Sequence, residues 1–124
     1  MTILEAINRV DTTKPNSYTQ TEKVDWLSTL DGIIKKEIID THEGSENIVF
    51  EGYTPDTSLD TVLLVPAPYD DIYIRWLESR IDYANGEYRK YNNSATAFNT
   101  ALETYSLYYN RNNMPKRTTK RFIF

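Results

Sequence analysis

Residues 69–91 read YDDIYIRWLESRIDYANGEYRKY, and their periodicity decides the fold class. Tyr73, Leu77, Ile81, Ala84, Tyr88 and Tyr91 recur at three- and four-residue steps, with Ile72 and Trp76 beside the stripe, which predicts an amphipathic helix. Pro66-Ala67-Pro68 enforces an extended entry, and Asp70 and Asp71 put acids at the positive end of that helix. Asn85-Gly86 is a turn-forming pair, yet the stripe keeps its phase from Ala84 to Tyr88. The spacing therefore predicts one helix of about 23 residues, about 35 Å long, with Gly86 as a contact point. Asn92-Asn93-Ser94 is rich in capping residues, and a break there is expected to precede a helix carrying Ala95, Phe98, Leu102, Tyr105 and Tyr109. The stripe stays in phase across these residues too, so a single helix of about 60 Å is the alternative. A break lets the two stripes fold back and bury each other. Met114-Pro115 closes the helical region.

Upstream, Thr2 is a candidate N-cap for a short helix over residues 3–11, with Ile3, Leu4, Ile7 and Val10 on one face. Lys14-Pro15-Asn16-Ser17 reads as a loop. Thr19 and Glu22 fit a capping box, and Val24, Leu27, Leu30, Ile34 and Ile38 extend a second helix to about Thr41. Trp26 and Ile33 widen its apolar face, and Gly32 inside it points to close packing or a bend. From His42 to Pro68 the helical period disappears. Ile48-Val49-Phe50 and Val62-Leu63-Leu64-Val65 are β-prone runs separated by turn residues, so a small β-hairpin or a long loop is expected over about 42–68. The fold class predicted is all-α: an antiparallel bundle of three to four helices over residues 1–112, this insertion between helices 2 and 3, and an extended basic arm over 113–124.

The chain has 124 residues, enough for one domain with its own core. It has no cysteine, which excludes disulfides and thiolate metal sites. Its first ten residues lack a basic leader with an apolar run, and no stretch is apolar enough to span a membrane. An intracellular, soluble product is the expectation. Most of the ten tyrosines fall between Tyr69 and Tyr109, where they serve equally as core rim or as interface. Charge is divided sharply: all 18 acids and nine of the 14 cations precede Arg111, leaving a body of −9 and a tail of +5.

Sites for chemistry are sparse. His42, the only histidine, sits beside Glu43 at a helix end, where a cation is ordinary C-terminal chemistry; one histidine cannot supply a triad or a zinc set. Glu78 and Asp82 stand four apart, but Arg75 and Arg80 nearby favour ion pairs over a dicarboxylate site. Asp56, Ser58 and Asp60 alternate like the start of a calcium loop without its glycine and distal glutamate. Neither a phosphate-binding glycine loop nor a nucleophile elbow is present. The expectation is a protein that is not an enzyme and takes no metal or cofactor.

The tail is the most informative segment. Lys116, Arg117, Lys120 and Arg121 are followed by Phe122, Ile123 and Phe124, an apolar end with no reason to sit in water. Docking on a partner is the leading reading, and folding back on its own bundle is the second. Nucleic-acid binding is the third, opposed by the acidic body.

Leu64-Val65-Pro66-Ala67-Pro68-Tyr69-Asp70, then Tyr73, Trp76-Leu77 and Ile81-Asp82-Tyr83, carry a family likeness. Tyr91-Asn92-Asn93-Ser94, Phe98-Asn99, Tyr108-Tyr109-Asn110-Arg111, Met114-Pro115 and Phe50-Glu51-Gly52-Tyr53 extend it over about residues 21–115. Together they resemble the head–tail connector adaptors of tailed phages and prophages of Gram-positive bacteria. The resemblance implies a helical adaptor in the virion neck, made in the host cytoplasm and assembled as a ring of about a dozen copies. It implies that residues 116–124 dock on the portal protein and that residues 44–62, with Phe50, Tyr53 and Asp56, face a downstream neck or stopper protein. Anionic bodies in a ring need alternating faces, and Arg75, Arg80, Arg89 and Lys90 on the third predicted helix are the candidates for the basic one. The alternative is a small intracellular interaction or regulatory protein that binds nucleic acid or a partner through its basic tail.

Overall fold

Thr2 starts the first helix by a reciprocal pair of bonds: its hydroxyl accepts from the Glu5 N–H, and the Glu5 carboxylate accepts from the Thr2 N–H, both at 3.2 Å. In the computed structural model, which describes residues 1–116, α1 spans Ile3–Thr13 and buries Ile3, Ala6, Ile7 and Val10. The Thr19 hydroxyl caps α2, Gln20–Ile34, which continues through a π-helical turn at Lys35–Ile39. After a loop come α3, Ile72–Ala84, and α4, Tyr88–Asn112.

Contacts at the helix ends fix the topology. The Met1 ammonium approaches Asp70 and Lys14 reaches Asp82, so α1 and α3 run the same way. Tyr18 bonds Asn85, placing the α1–α2 and α3–α4 turns at one end of the molecule. His42 meets Asn110 and Tyr109 at the other end, so α2 and α4 run together, opposite to α1 and α3. The fold is all-α, a four-helix bundle, and the predicted first two helices stand at nearly their expected bounds.

The third and fourth helices are divided elsewhere than expected. The break falls at Asn85-Gly86, and α4 runs unbroken through Asn92-Asn93-Ser94 for 25 residues. Gly86 has φ +73, the Gly86 N–H donates to Tyr83 C=O at 3.0 Å, and the Glu87 N–H donates to Asp82 C=O at 3.0 Å. This is a Schellman closure, for which a left-handed residue is required and glycine is the cheapest choice. Gly86 is thus a turn and not a contact point, with nothing within 4 Å of where a Cβ would stand. The apparent continuity of the stripe came from Ala84 and Tyr88, which are exposed and belong to no core face. Asn92 and Asn93 face solvent, where their helix propensity costs only about 0.7 kcal/mol each against alanine.

Among the described residues no β-hairpin forms between α2 and α3; residues 42–71 are a long loop. Ile48–Phe50 and Val62–Val65 do not pair with each other. The second run spends its backbone groups on the start of α1 and on side chains. Ile3 and Leu4, whose N–H groups have no partner within their own helix, donate to Thr61 and Leu59 carbonyls at 3.1 Å. Leu63 N–H donates to Met1 C=O at 2.9 Å, while Leu63 and Val65 are buried.

The hub of the fold is Asp31, an acid on the buried face of α2 with no exposed surface. Its Oδ1 accepts from the Tyr73 hydroxyl at 2.6 Å, and its Oδ2 accepts from the Tyr53 hydroxyl at 2.5 Å and from Leu64 N–H at 3.2 Å. Tyr73 Oη in turn accepts from Val65 N–H at 2.7 Å. Beside it, Ser28 Oγ accepts from Tyr53 N–H at 2.9 Å, and Phe50 packs over Gly32. One carboxylate therefore holds α2, α3 and both limbs of the loop. Burial raises the Asp31 carboxyl above the usual carboxylate range, although the two tyrosines and the Leu64 amide pull the other way. Burial and the neighbouring carboxylate likewise push the Tyr53 and Tyr73 hydroxyls up.

Asp31→Ala leaves two hydroxyls and an amide without their acceptor and is expected to cost about 3–5 kcal/mol in urea unfolding. The folded state holds the Asp31 proton more tightly than the unfolded chain. This group's contribution is therefore full below the ordinary carboxylate range and is lost as pH rises through the raised value. The stability gap between the native chain and Asp31→Ala should narrow over that window; a gap that widens would contradict the assignment.

Candidate functional site

The end of the bundle where α2 and α4 finish is built around His42, 4% exposed. Its Nδ1 lies 2.5 Å from Ile38 C=O and 3.0 Å from Thr41 Oγ1, its Nε2 lies 2.6 Å from the Asn110 side-chain amide, and its ring stacks edge-on against Tyr109. Both ring nitrogens are occupied by helix-end partners, which makes His42 a bolt between α2 and α4. Among the described residues no three His, Asp or Glu side chains gather to hold a metal ion.

The chain leaving α4 is fastened to this bolt. Glu43 N–H donates to Met114 C=O at 2.8 Å, Lys116 N–H donates to Thr41 C=O at 2.9 Å, and His42 bridges Pro115 in antiparallel register. Residues 114–116 consequently run back along 43–41, towards the body of α2. Lys116 is exposed. Arg117, Lys120, Arg121, Phe122, Ile123 and Phe124 lie outside the described residues.

The other sequence-predicted cations separate into two kinds. Arg80 is spent within its own chain: its guanidinium carbon sits 4.6 Å from the Trp76 ring centre, 5.4 Å from Tyr83 and 5.6 Å from Tyr91. Its Nη2 also donates to Tyr91 Oη at 3.3 Å, and its Nε is buried. Arg75 is exposed beside Glu78 at 3.5 Å, and Arg89 and Lys90 stand exposed in the first turn of α4 rather than on the third helix. Lys90 pairs with Glu87 at 2.8 Å, an ion pair that raises the lysine's pKa.

Of the loop candidates, Asp56 is exposed, whereas Tyr53 turns its hydroxyl inward to Asp31 and Phe50 packs edge-on against Tyr53 at 5.1 Å. A second buried acid takes other partners than the Arg75 and Arg80 expected from the sequence. Asp82, 2% exposed, takes Lys14 Nζ at 2.7 Å and Ser94 Oγ at 2.9 Å, tying three helices at the opposite end.

A cleft of about 560 Å³ opens between the start of α3 and the middle of α4, with Tyr69, Asp71 and Arg75 facing Ala97, Thr100 and Ala101. A smaller groove of about 340 Å³ lies between α2 and α4 and is lined by Ile33, Ile38, Leu102 and Leu107 with Glu37 and Glu103. No described helix is long and apolar enough to cross a membrane. The sequence matches no protein-family model, and neither a curated protein nor a solved structure matches it.

Asn110→Ala removes the His42 partner and is expected to cost about 1–3 kcal/mol while speeding amide exchange at Glu43 and Lys116. The measurement is residue-resolved hydrogen exchange. Native rates at those two amides as fast as at unpaired positions would mean that the root of the arm is not fastened.

Proposed function

We propose that this chain is a structural adaptor in the neck of a tailed phage, assembling as a ring that joins the portal to the next connector component. The C-terminal arm, residues 116–124, docks on the portal. The observation that carries the reading is the fastened root: a body of charge −9 extends a cationic, apolar-ended segment whose departure is set by backbone pairing at His42 and Pro115. A tether without a binding role needs no such bracing. The portal as partner follows from the resemblance of residues 21–115 to head–tail connector adaptors.

Placement of Arg89 and Lys90 supports the ring. Cations in the first turn of a helix face the positive end of its dipole, which disfavours them. The Glu87 pair accounts in part for Lys90, but helix stability does not explain Arg89. Acidic surface on a neighbouring copy would, with Arg75 adding to the same charge. Arg80 serves this purpose less well, because its charge is already held over three aromatic rings.

Reversing Arg89 and Lys90 to Glu should leave the monomer folded, since acids suit that turn, and should lower the assembled mass measured by native mass spectrometry. Reversing Lys116, Arg117, Lys120 and Arg121 to Glu should abolish co-sedimentation with portal rings from phages of Gram-positive hosts. Assembly unaltered by the first change and portal binding unaltered by the second would overturn the reading. Binding to duplex DNA that falls by about 10²-fold between low and moderate salt would favour the nucleic-acid alternative instead.

A further inference from the structure

The exposed face of α4 carries its charges in an order that matches its own reverse. Arg89 and Glu103 are both exposed, and neither makes an ion pair among the described residues. They stand 14 residues apart, about four helical turns, and so share one face about 21 Å apart. Between them that face presents Asn92, Thr96, Asn99 and Thr100, all exposed, and no charged residue occurs from Tyr91 to Leu102. A cation and an acid at the two ends of a neutral stripe are complementary to a second copy of the same stripe turned end for end.

The orientation follows from the charges. A parallel second α4 sets Arg89 against Arg89 and Glu103 against Glu103. An antiparallel one, with Thr96 opposite Thr96, places Arg89 of each copy opposite Glu103 of the other and also opposes the helix dipoles. The same register sets Tyr88, 64% exposed, opposite Thr104 and one turn from Leu107, 51% exposed. Leu107 stands at the edge of the groove between α2 and α4, whose apolar floor includes Ile33 and Leu102, so the aromatic ring of each copy covers apolar surface of the other. Repulsion between two acidic bodies is screened beyond about 8 Å at physiological salt, whereas the facing charges lie within that distance.

We propose that the free protein pairs with a second copy through this face of α4 as a two-fold antiparallel dimer. A two-fold contact closes at two copies and cannot by itself build a ring. Arg89 serves either this pair or a ring neighbour, so the dimer and the ring are alternative uses of one face. The pair stands on the charge order of α4 and the groove beside it; its competition with the ring rests on the adaptor reading.

Sedimentation equilibrium of the full-length chain, without any portal, should show a discrete dimer before any larger species. Arg89→Glu and Glu103→Arg, both at exposed positions, should each raise the dimer dissociation constant by about tenfold or more while leaving the helical circular dichroism unchanged. The chain carrying both changes should dimerise like the native one, and so should an equimolar mixture of the two single variants. Because the chain has no cysteine, Thr96→Cys or Arg111→Cys gives a single site for a nitroxide label. In the dimer the two labels at 96 should lie side by side, and those at 111 about 45 Å apart along the helix axes. Absence of a dimer, dimers indifferent to the single reversals, reversals not rescued by the exchange, or labels at 111 as close as those at 96 would each overturn the proposal. Rings that form on a portal from a chain that never dimerises would defeat this inference and leave the adaptor reading standing. Native dimers of a chain that ignores every portal would do the opposite.

Discussion

A buried carboxylate with three donors and, among the described residues, no cation holds this fold in place. Asp31 gains nothing from charge pairing; it is tolerated because Tyr53, Tyr73 and the Leu64 amide satisfy its oxygens. The reverse dependence matters more. Without Asp31, the loop of residues 42–71 keeps its bonds to the start of α1 and the Ser28–Tyr53 bond, but loses the acceptor that joins Tyr53, Leu64 and Tyr73 at one point. With it, the loop becomes a wall of the core, delivering Leu63 and Val65 inward and supplying carbonyls to the open start of α1. Apolar packing alone would tolerate several loop paths. Directional bonds to a single buried acid select one.

The same logic operates at the two ends of the bundle. At one end Asp82 gathers Lys14 and Ser94, and the Schellman turn at Gly86 reverses the chain beside them. At the other, His42 ties Asn110 to the end of α2 and braces residues 114–116. Polar groups buried at three levels thus set the register of four helices whose aliphatic faces would otherwise slide. The result is an anionic body whose chain leaves α4 along a path fixed at residues 114–116.

Much of this was legible in the sequence, and the misses share a cause. Capping residues and aliphatic spacing located α1 and α2, because Thr2, Thr19, Leu27 and Ile34 act within a few residues of one another. Tyr88 misled because a tyrosine in phase with a stripe counts as core by pattern, although here it is 64% exposed. Asp31 was readable in principle: it stands four residues after Leu27 and three before Ile34, on the buried face. An acid in that position signals a bonded core group, and its donors lie 22 to 42 residues away. The partners of Val62–Val65 could not be read locally either, since they are the N-terminus and two side chains rather than another strand. Of the candidate site, the charge division was plain from composition. The fastening of Lys116 to Thr41 depends on a tertiary contact and was not.

If the Asp31 hub locks the loop as described, the Leu64 and Val65 amides belong to the global folding unit although they lie outside any helix. Native-state hydrogen exchange as a function of urea tests this directly. The account predicts that both amides exchange only through whole-molecule unfolding, with the same free energy and urea slope as the core of α3. Exchange by a low-energy local opening, insensitive to urea, would show that the loop is merely draped over the helices and that the constraint proposed for Asp31 does not exist.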